Sequence, residues 1–454
     1  MPARASRPRL LAAALFSVLA AVVPASARAD GIAPLPEHVS GEVVVTYAPG
    51  ADPAEQASAQ RSAGAHAAEA IAPRTKVLHL RHESVAHAIA RLRANPDVQS
   101  AAPNVIAHAS GYIPPDPGRS GLPGGWQAVQ WNFAGPYGVN APDAWSNLMR
   151  AGRPGGKGVT VAVLDTGVAY ENRGRFRRSP DFRPSHFVHP YDFVGHDRHP
   201  DDENGHGTHV TGTINEATGN PIGLTGLAYG AKIMPVRVLD RYGDGDSATI
   251  SQGVRYAVSH HAQIINLSFE FDSGTSMRDV PDLLTALRDA KRAGVLVVAA
   301  SGNEGSGALA YPARAKSVLS VGASTEHGCA AEYSNAGASL DIVAPGGGPD
   351  ADLPDPQCRP GSSDGRNVVQ MTFTGSVRSF GLPGDYTGTS MATPHVSATA
   401  ALVIASGVLG AHPSPDAIVR RLRATARPLG AARHYGAGLV DAAAATAPAA
   451  PATP

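Results

Sequence analysis

The chain has 454 residues, of which 43% are hydrophobic and 17% charged. That balance excludes an intrinsically disordered protein, which needs fewer apolar residues and more net charge. Lys plus Arg and Asp plus Glu both number 38, and no basic run follows the first nine residues, so nothing favours a nucleic-acid partner.

Arg4, Arg7 and Arg9 precede a nearly unbroken apolar run from Leu10 to Val23, followed by the small-residue pairs around Ala27. Basic, then apolar, then small is the order of a secretory signal peptide, here residues 1–29; an uncleaved anchor is the alternative. No other stretch is long and apolar enough to span a bilayer. An exported protein is expected, extracellular or periplasmic, with no membrane contact after removal of the signal.

Residues 30–120 read as a small unit and a linker. Residues 41–47 alternate as a strand. Residues 52–64 read as a helix with Asp52 as cap and Pro53 at the first position. Val77 to Arg81 alternates again, residues 84–94 carry an apolar face of Val85, Ala88, Ile89 and Leu92, and residues 98–108 return to extended chain. The sum is βαββαβ-like and α+β. Residues 109–127, rich in Pro and Gly, read as an exposed linker.

From about 131 to 446 apolar strands alternate with helices. Strands are expected at 159–164, 233–239, 263–267, 295–300 and 318–322, and helices at 248–260, 283–293, 391–404 and 414–424. Such alternation argues a parallel sheet covered on both faces, an α/β domain at 121–446. An Ala/Pro tail, 447–454, closes the chain. Cys329 and Cys358 are the only cysteines. Export favours one bridge over two free thiols.

Three short segments carry chemistry. Asp165, in Leu-Asp-Thr-Gly, ends a buried strand, where α/β sheets place their sites; it could also merely cap a loop. His206 stands between two glycines at a helix start. It could instead cap the helix or bind metal with His209, since His196, His199, Asp201 and Asp202 lie upstream. Ser390, in Gly-Thr-Ser-Met-Ala-Thr-Pro-His-Val, heads an apolar helix whose free N–H groups suit a developing oxyanion; a simple N-cap is the other reading. Taken together the order Asp, His, Ser is one of the chain orders of a serine-hydrolase triad.

These segments resemble the signature segments of the subtilisin-like serine proteases, over about 131–446. The resemblance implies a three-layer α/β/α fold with a mostly parallel, seven-stranded sheet, and hydrolysis of peptide bonds through an acyl-enzyme. It makes Asn303, in Ala-Ser-Gly-Asn-Glu, the side-chain oxyanion donor. It implies strand addition of an extended substrate along Ser268, Phe269 and Glu270, with Ala300, Gly302 and Ala310 lining the pockets. Glu270 departs from the family, where glycine is usual, and suggests a bias toward cationic side chains. The resemblance also implies a structural Ca²⁺ held by Gln130, Asp181, Thr218, Asn220, Ile222 and Leu224, and no cofactor for catalysis. Residues 41–108 resemble the family's inhibitory pro-segment, cut somewhere within about 108–128. The expected partners are peptide substrates and this intramolecular inhibitor, with the mature enzyme a monomer. Residues 347–385, rich in Gly and Pro, read either as a flap over the cleft or as a plain loop. A catalytically silent binding protein on the same fold is the alternative function, and a metal hydrolase built on the histidine cluster a third.

Overall fold

The structure is a computed structural model and describes residues 38–105, 111–362 and 364–448. The signal-peptide reading and most of the Ala/Pro tail lie outside the described residues. The chain divides into two compact units, one ending at Ala109 and the other beginning at Ser110.

In the first unit, β1 (His38–Tyr47) alternates as the sequence requires and buries Val43, Val45 and Tyr47. Helix α1 (Pro53–Ser62) starts at a capping box. The Asp52 carboxylate accepts from the Ala54 and Glu55 N–H groups, and Glu55 accepts from the Asp52 N–H. Strands β2 (Ala65–Ala72) and β3 (Thr75–Leu80), helix α2 (Val85–Arg93, capped by Ser84) and strand β4 (Val98–Val105) complete a βαββαβ unit. Its sheet is antiparallel with order β2-β3-β1-β4. Strand β2 has no legible pattern: it is an Ala-rich edge strand whose side chains are mostly exposed, so no alternation marks it.

The second unit is built on seven parallel strands with order β11-β10-β9-β8-β5-β7-β6. In chain order they are β5 (Thr160–Asp165), β6 (Tyr191–Asp192), β7 (Lys232–Arg237), β8 (Ile264–Leu267), β9 (Leu296–Ala300), β10 (Val318–Ser324) and β11 (Ile342–Pro345). The central strands are apolar at consecutive positions because both faces are covered. One apolar layer includes α3 (Trp131–Ala134), α4 (Ala141–Arg150), α5 (His206–Asn215), α8 (Thr389–Ser406) and α9 (Pro415–Thr425). The other includes α6 (Ser247–Ser259) and α7 (Pro281–Arg292). Cys329 and Cys358 are joined; a loop of this length contributes roughly 3–4 kcal/mol on the chain-entropy account.

Two expectations need correction. The 109–127 stretch is not simply an exposed linker: Pro114, Asp116 and Trp126 are buried. The Asp116 carboxylate accepts the Gly219 and Asn220 N–H groups, and the Trp126 indole N–H donates to the Pro114 carbonyl. Within 347–385, residues 368–372 are buried, so this stretch is neither a flap nor a plain loop along its whole length. Its hairpin, β12 (Thr372–Phe373) with β13 (Phe380–Gly381), is tied to α5. Thr372 donates to the Gly205 carbonyl, and the Met371 N–H donates to Glu216.

Candidate active site

The C-terminal edge of the parallel sheet collects the chemistry. Asp165 is the last residue of β5 and is fully buried. Its Oδ1 accepts the Thr166 N–H at 2.7 Å and bonds His206 Nδ1 at 2.7 Å. A carboxylate only accepts, so the imidazole proton sits on Nδ1 and Nε2 is left unprotonated, able to accept a proton. His206 is the first residue of α5, after Gly205 at φ 105°, a conformation that favours glycine. Gly207 packs so closely on the Gly167 carbonyl and Asp165 that a Cβ there would lie 2.1 Å from the Gly167 oxygen.

Asp202, which the sequence offered only as part of a possible metal cluster, instead organises this corner. Its buried carboxylate accepts from the Thr166 and Thr208 hydroxyls and from the Asn204, Gly205 and Thr208 N–H groups. Burial pulls the His206 pKa down, but the Asp165 charge and hydrogen bond, with the Asp202 charge behind them, outweigh it, and the net shift is upward.

Ser390 lies in the first turn of α8, half-buried; the cap is Gly388, two residues earlier, so Ser390 is not the N-cap. Among the described residues its hydroxyl makes no hydrogen bond to His206, and its N–H has no acceptor. Asn303 sits three residues past β9 and is fastened to the same turn. Its Oδ1 accepts the Thr389 N–H at 2.8 Å and the Thr389 hydroxyl at 3.0 Å. Both partners are donors, which fixes the amide orientation and leaves Nδ2 for acceptors. The helix carrying Ser390 is registered against the sheet by a buried chain. Ser397 donates to Asn266 Oδ1 at 2.8 Å, and Asn266 Nδ2 donates to the Ser268 hydroxyl at 2.9 Å. Asn266 is polar in an apolar strand, Ile-Ile-Asn-Leu, and that break in pattern was the signal available.

Of the expected pocket residues, Ser268 is buried, while Phe269 packs its ring against the α6–α7 apolar layer. Ala300 closes β9, and the Ala310 N–H donates to the Ser301 carbonyl. Gly302, at φ 114°, has no room for a side chain between Asn335 and Glu270. Glu270 bonds Asn303 twice, accepting its backbone N–H at 2.7 Å and its Nδ2 at 3.0 Å.

The expected calcium ligands are only partly suited to the ion. The Gln130 amide exchanges hydrogen bonds with the Thr225 backbone, beside the expected loop, and donates to Gln370. The Thr218 carbonyl accepts from Arg183. Asp181 accepts from Asn220 Nδ2 and the Leu224 N–H, while Asn220 Oδ1 accepts the Ile222 N–H. The carbonyls of Ile222 and Leu224 have no donor among the described residues. Two carboxylates the sequence reading passed over, Asp116 and Glu216, lie near Asp181, and Glu216 Oε2 is buried without a partner. Burial pushes the Asp181 carboxyl up to about 7 and raises Glu216 as well, and the neighbouring negative charges add to both shifts. The buried carboxylates around Asp181, one with an orphaned oxygen on Glu216, and the free carbonyls of the 218–224 loop suit a hard cation there.

The histidine cluster does not form a metal centre. His209 is buried, donates through Nε2 to the Val368 carbonyl and stacks on Tyr386 at 4.2 Å. Burial lowers its pKa to about 3, so it stays neutral. Among the described residues no three His, Cys, Asp or Glu side chains are grouped to hold a metal ion.

The subtilase family model matches residues 156–438, and a fervidolysin N-terminal prodomain model matches residues 25–104. The chain belongs to the subtilase family. It is 37% identical to subtilisin Savinase of Lederbergia lenta over 322 residues, 70% of this chain and 99% of that protein. It is 33% identical to a thermophilic serine proteinase of a Bacillus species over 371 residues, 82% of this chain and 79% of that one. A solved protease from Pseudoalteromonas arctica superposes with a TM-score of 0.58 at 28% identity, covering 74% of this chain and 99% of the other. This subtilase is therefore a serine endopeptidase that carries its own prodomain, and peptides are its substrates.

Proposed function

We propose that Asp165, His206 and Ser390 form the catalytic triad. The Asp165–His206 contact at 2.7 Å, at the C-terminal edge of the sheet of a subtilase, is the observation that carries the reading. The Ser390 Oγ attacks the scissile carbonyl carbon as its proton passes to His206 Nε2. The oxygen of the tetrahedral intermediate takes the Ser390 N–H and Asn303 Nδ2. Collapse breaks the C–N bond, and His206 returns its proton to the leaving amine. Water repeats the sequence on the acyl-enzyme, with Asp165 stabilising the imidazolium each time.

The Ser390 hydroxyl can change rotamer about its single Cα–Cβ bond, and catalytic hydrogen bonds commonly tighten only with substrate bound. Extended substrate adds alongside Ser268–Glu270. The protein is made for export, matures by cutting itself and acts as a monomer without nucleic acid. The cut falls toward the early end of the 108–128 window. Tyr112 supports this, because its N–H donates to Pro142 and Ser146, and so does Asp116 with its bonds to the 219–220 turn.

The test is expression of Ser390→Ala beside the parent chain in a protease-free host. The parent sheds the prodomain and the variant retains it; equal maturation of both refutes self-processing. Calcium is a structural ion at Asp181, Asn220, Ile222 and Leu224, with Thr218 supplying only loop geometry. Chelation lowers the melting temperature of the mature enzyme if this is right, and an unmoved transition removes the ion.

A further inference from the structure

Glu270 stands where it touches the chemistry without belonging to it. Its carboxylate accepts both the backbone N–H and the Nδ2 of Asn303. An amide nitrogen has two N–H bonds; Glu270 holds one, so only one remains for a substrate oxygen, and it is offered beside a full negative charge. Burial raises the Glu270 carboxyl against the lowering effect of the two Asn303 bonds, and the nearby charges of Glu304 and Asp272 add to the rise. None of the three carboxylates forms an ion pair among the described residues. Enlarging Gly302 to screen them is strained, because the residue sits at φ 114° and its Cβ position lies 2.0 Å from Asn335 Nδ2.

This arrangement opposes the reaction of an uncharged substrate. A carbonyl that becomes an oxyanion at Asn303 places a second negative charge about two hydrogen-bond lengths, roughly 6 Å, from the first. A cation between the two removes the repulsion. The carbon bearing that oxygen is bonded to the Cα of the residue on the acyl side of the scissile bond, so the side chain of that residue is the one able to reach Glu270.

We propose that Glu270 selects substrates with Lys or Arg on the acyl side of the cleaved bond, and that the selection acts through the Asn303 oxyanion donor and therefore on kcat. The inference rests on the triad reading and adds a residue to it. Neutralising Glu270 strengthens what Asn303 offers the oxyanion, so the carboxylate determines specificity by penalising neutral side chains as well as by attracting cationic ones.

The experiment uses the mature enzyme and paired peptides that differ only by Arg or its uncharged isostere citrulline at that position. The expected preference for Arg is at least about 30-fold in kcat/KM, with most of it in kcat. Glu270→Gln keeps size and an acceptor oxygen but removes the charge. It should shrink the preference to less than about 3-fold and raise kcat on the citrulline peptide. Glu270→Gly should do the same, and if either variant fails to fold the other supplies the answer. A preference absent from the parent, surviving in Glu270→Gln, or expressed wholly in KM overturns the inference. Labelling by a fluorophosphonate separates the two levels. An enzyme labelled at Ser390 with no preference for Arg refutes the inference alone, and an enzyme that is not labelled refutes the triad reading and the inference with it.

Discussion

On the triad reading proposed above, His206 and Asn303 serve the same reacting carbonyl, but they are held in different ways. The His206 corner is closed: Asp165 is buried, Asp202 collects five hydrogen bonds around it, and Gly207 leaves no spare volume. The Asn303 side is open. Its amide is fixed at one end by Thr389 but meets a carboxylate at the other, on the face that receives substrate. A base needs one tautomer and one position whatever the substrate, so burial costs nothing in selectivity. An oxyanion donor must share its surroundings with the substrate side chain, so variation in specificity can enter there.

The comparison breaks most visibly at Asp165. Asp165→Asn removes the acceptor that fixes the His206 proton on Nδ1, and kcat should fall by roughly 10⁴ with the fold intact; steady-state kinetics beside a circular-dichroism spectrum measures both. A residual rate near the parent value would show that the ring is oriented by something other than this carboxylate. The open side should tolerate more. Asn303→Leu loses one oxyanion donor and should cost about 10²–10³ in kcat with KM nearly unchanged. A loss carried in KM would mean that Asn303 holds the ground state instead.

The smallest effect concerns pH. His206 must be neutral to act as base, and its pKa is raised by Asp165 and Asp202 against the pull of burial. Activity therefore rises with pH through a limb above the ordinary histidine value. Asp202→Asn removes one negative charge, lowers the His206 pKa and moves that limb to lower pH by about one unit or less. A pH–rate profile showing the limb unmoved, or moved upward, would remove Asp202 from the electrostatics and leave it as a hydrogen-bond acceptor for the turn.

Much of the fold was legible because the strands and helices of the second unit are long and apolar in the right period. The expected strands at 159–164 and 295–300 match β5 and β9 closely, and the expected helix at 283–293 matches α7. The short or pattern-free elements were not legible: β2 is an exposed Ala-rich edge, β6 is a two-residue strand whose partner β7 is distant, and the two-residue strands of the β12–β13 hairpin are too short to show alternation. Candidate site residues were legible where a motif surrounds them. Asn266 and Asp202, which brace those residues, lie outside the motifs, and each has a partner remote in sequence, Ser397 for Asn266 and Thr166 for Asp202. Gln130 shows a residue type suited to a ligand whose amide also makes hydrogen bonds to Thr225 and Gln370 that no local pattern announces.

Local sequence determined which residues end strands and begin helices in this protein, and so which side chains stand at the reactive edge of the sheet. It also supplied Glu270, an acid where a small residue would leave the cleft neutral. Only the tertiary structure decided that this acid reaches the Asn303 amide and that Ser397 meets Asn266 across 131 residues of chain. The physical reason is range. Propensity and capping act over a few neighbouring residues, whereas a hydrogen bond between remote segments exists only once the parallel sheet has brought their strand ends side by side.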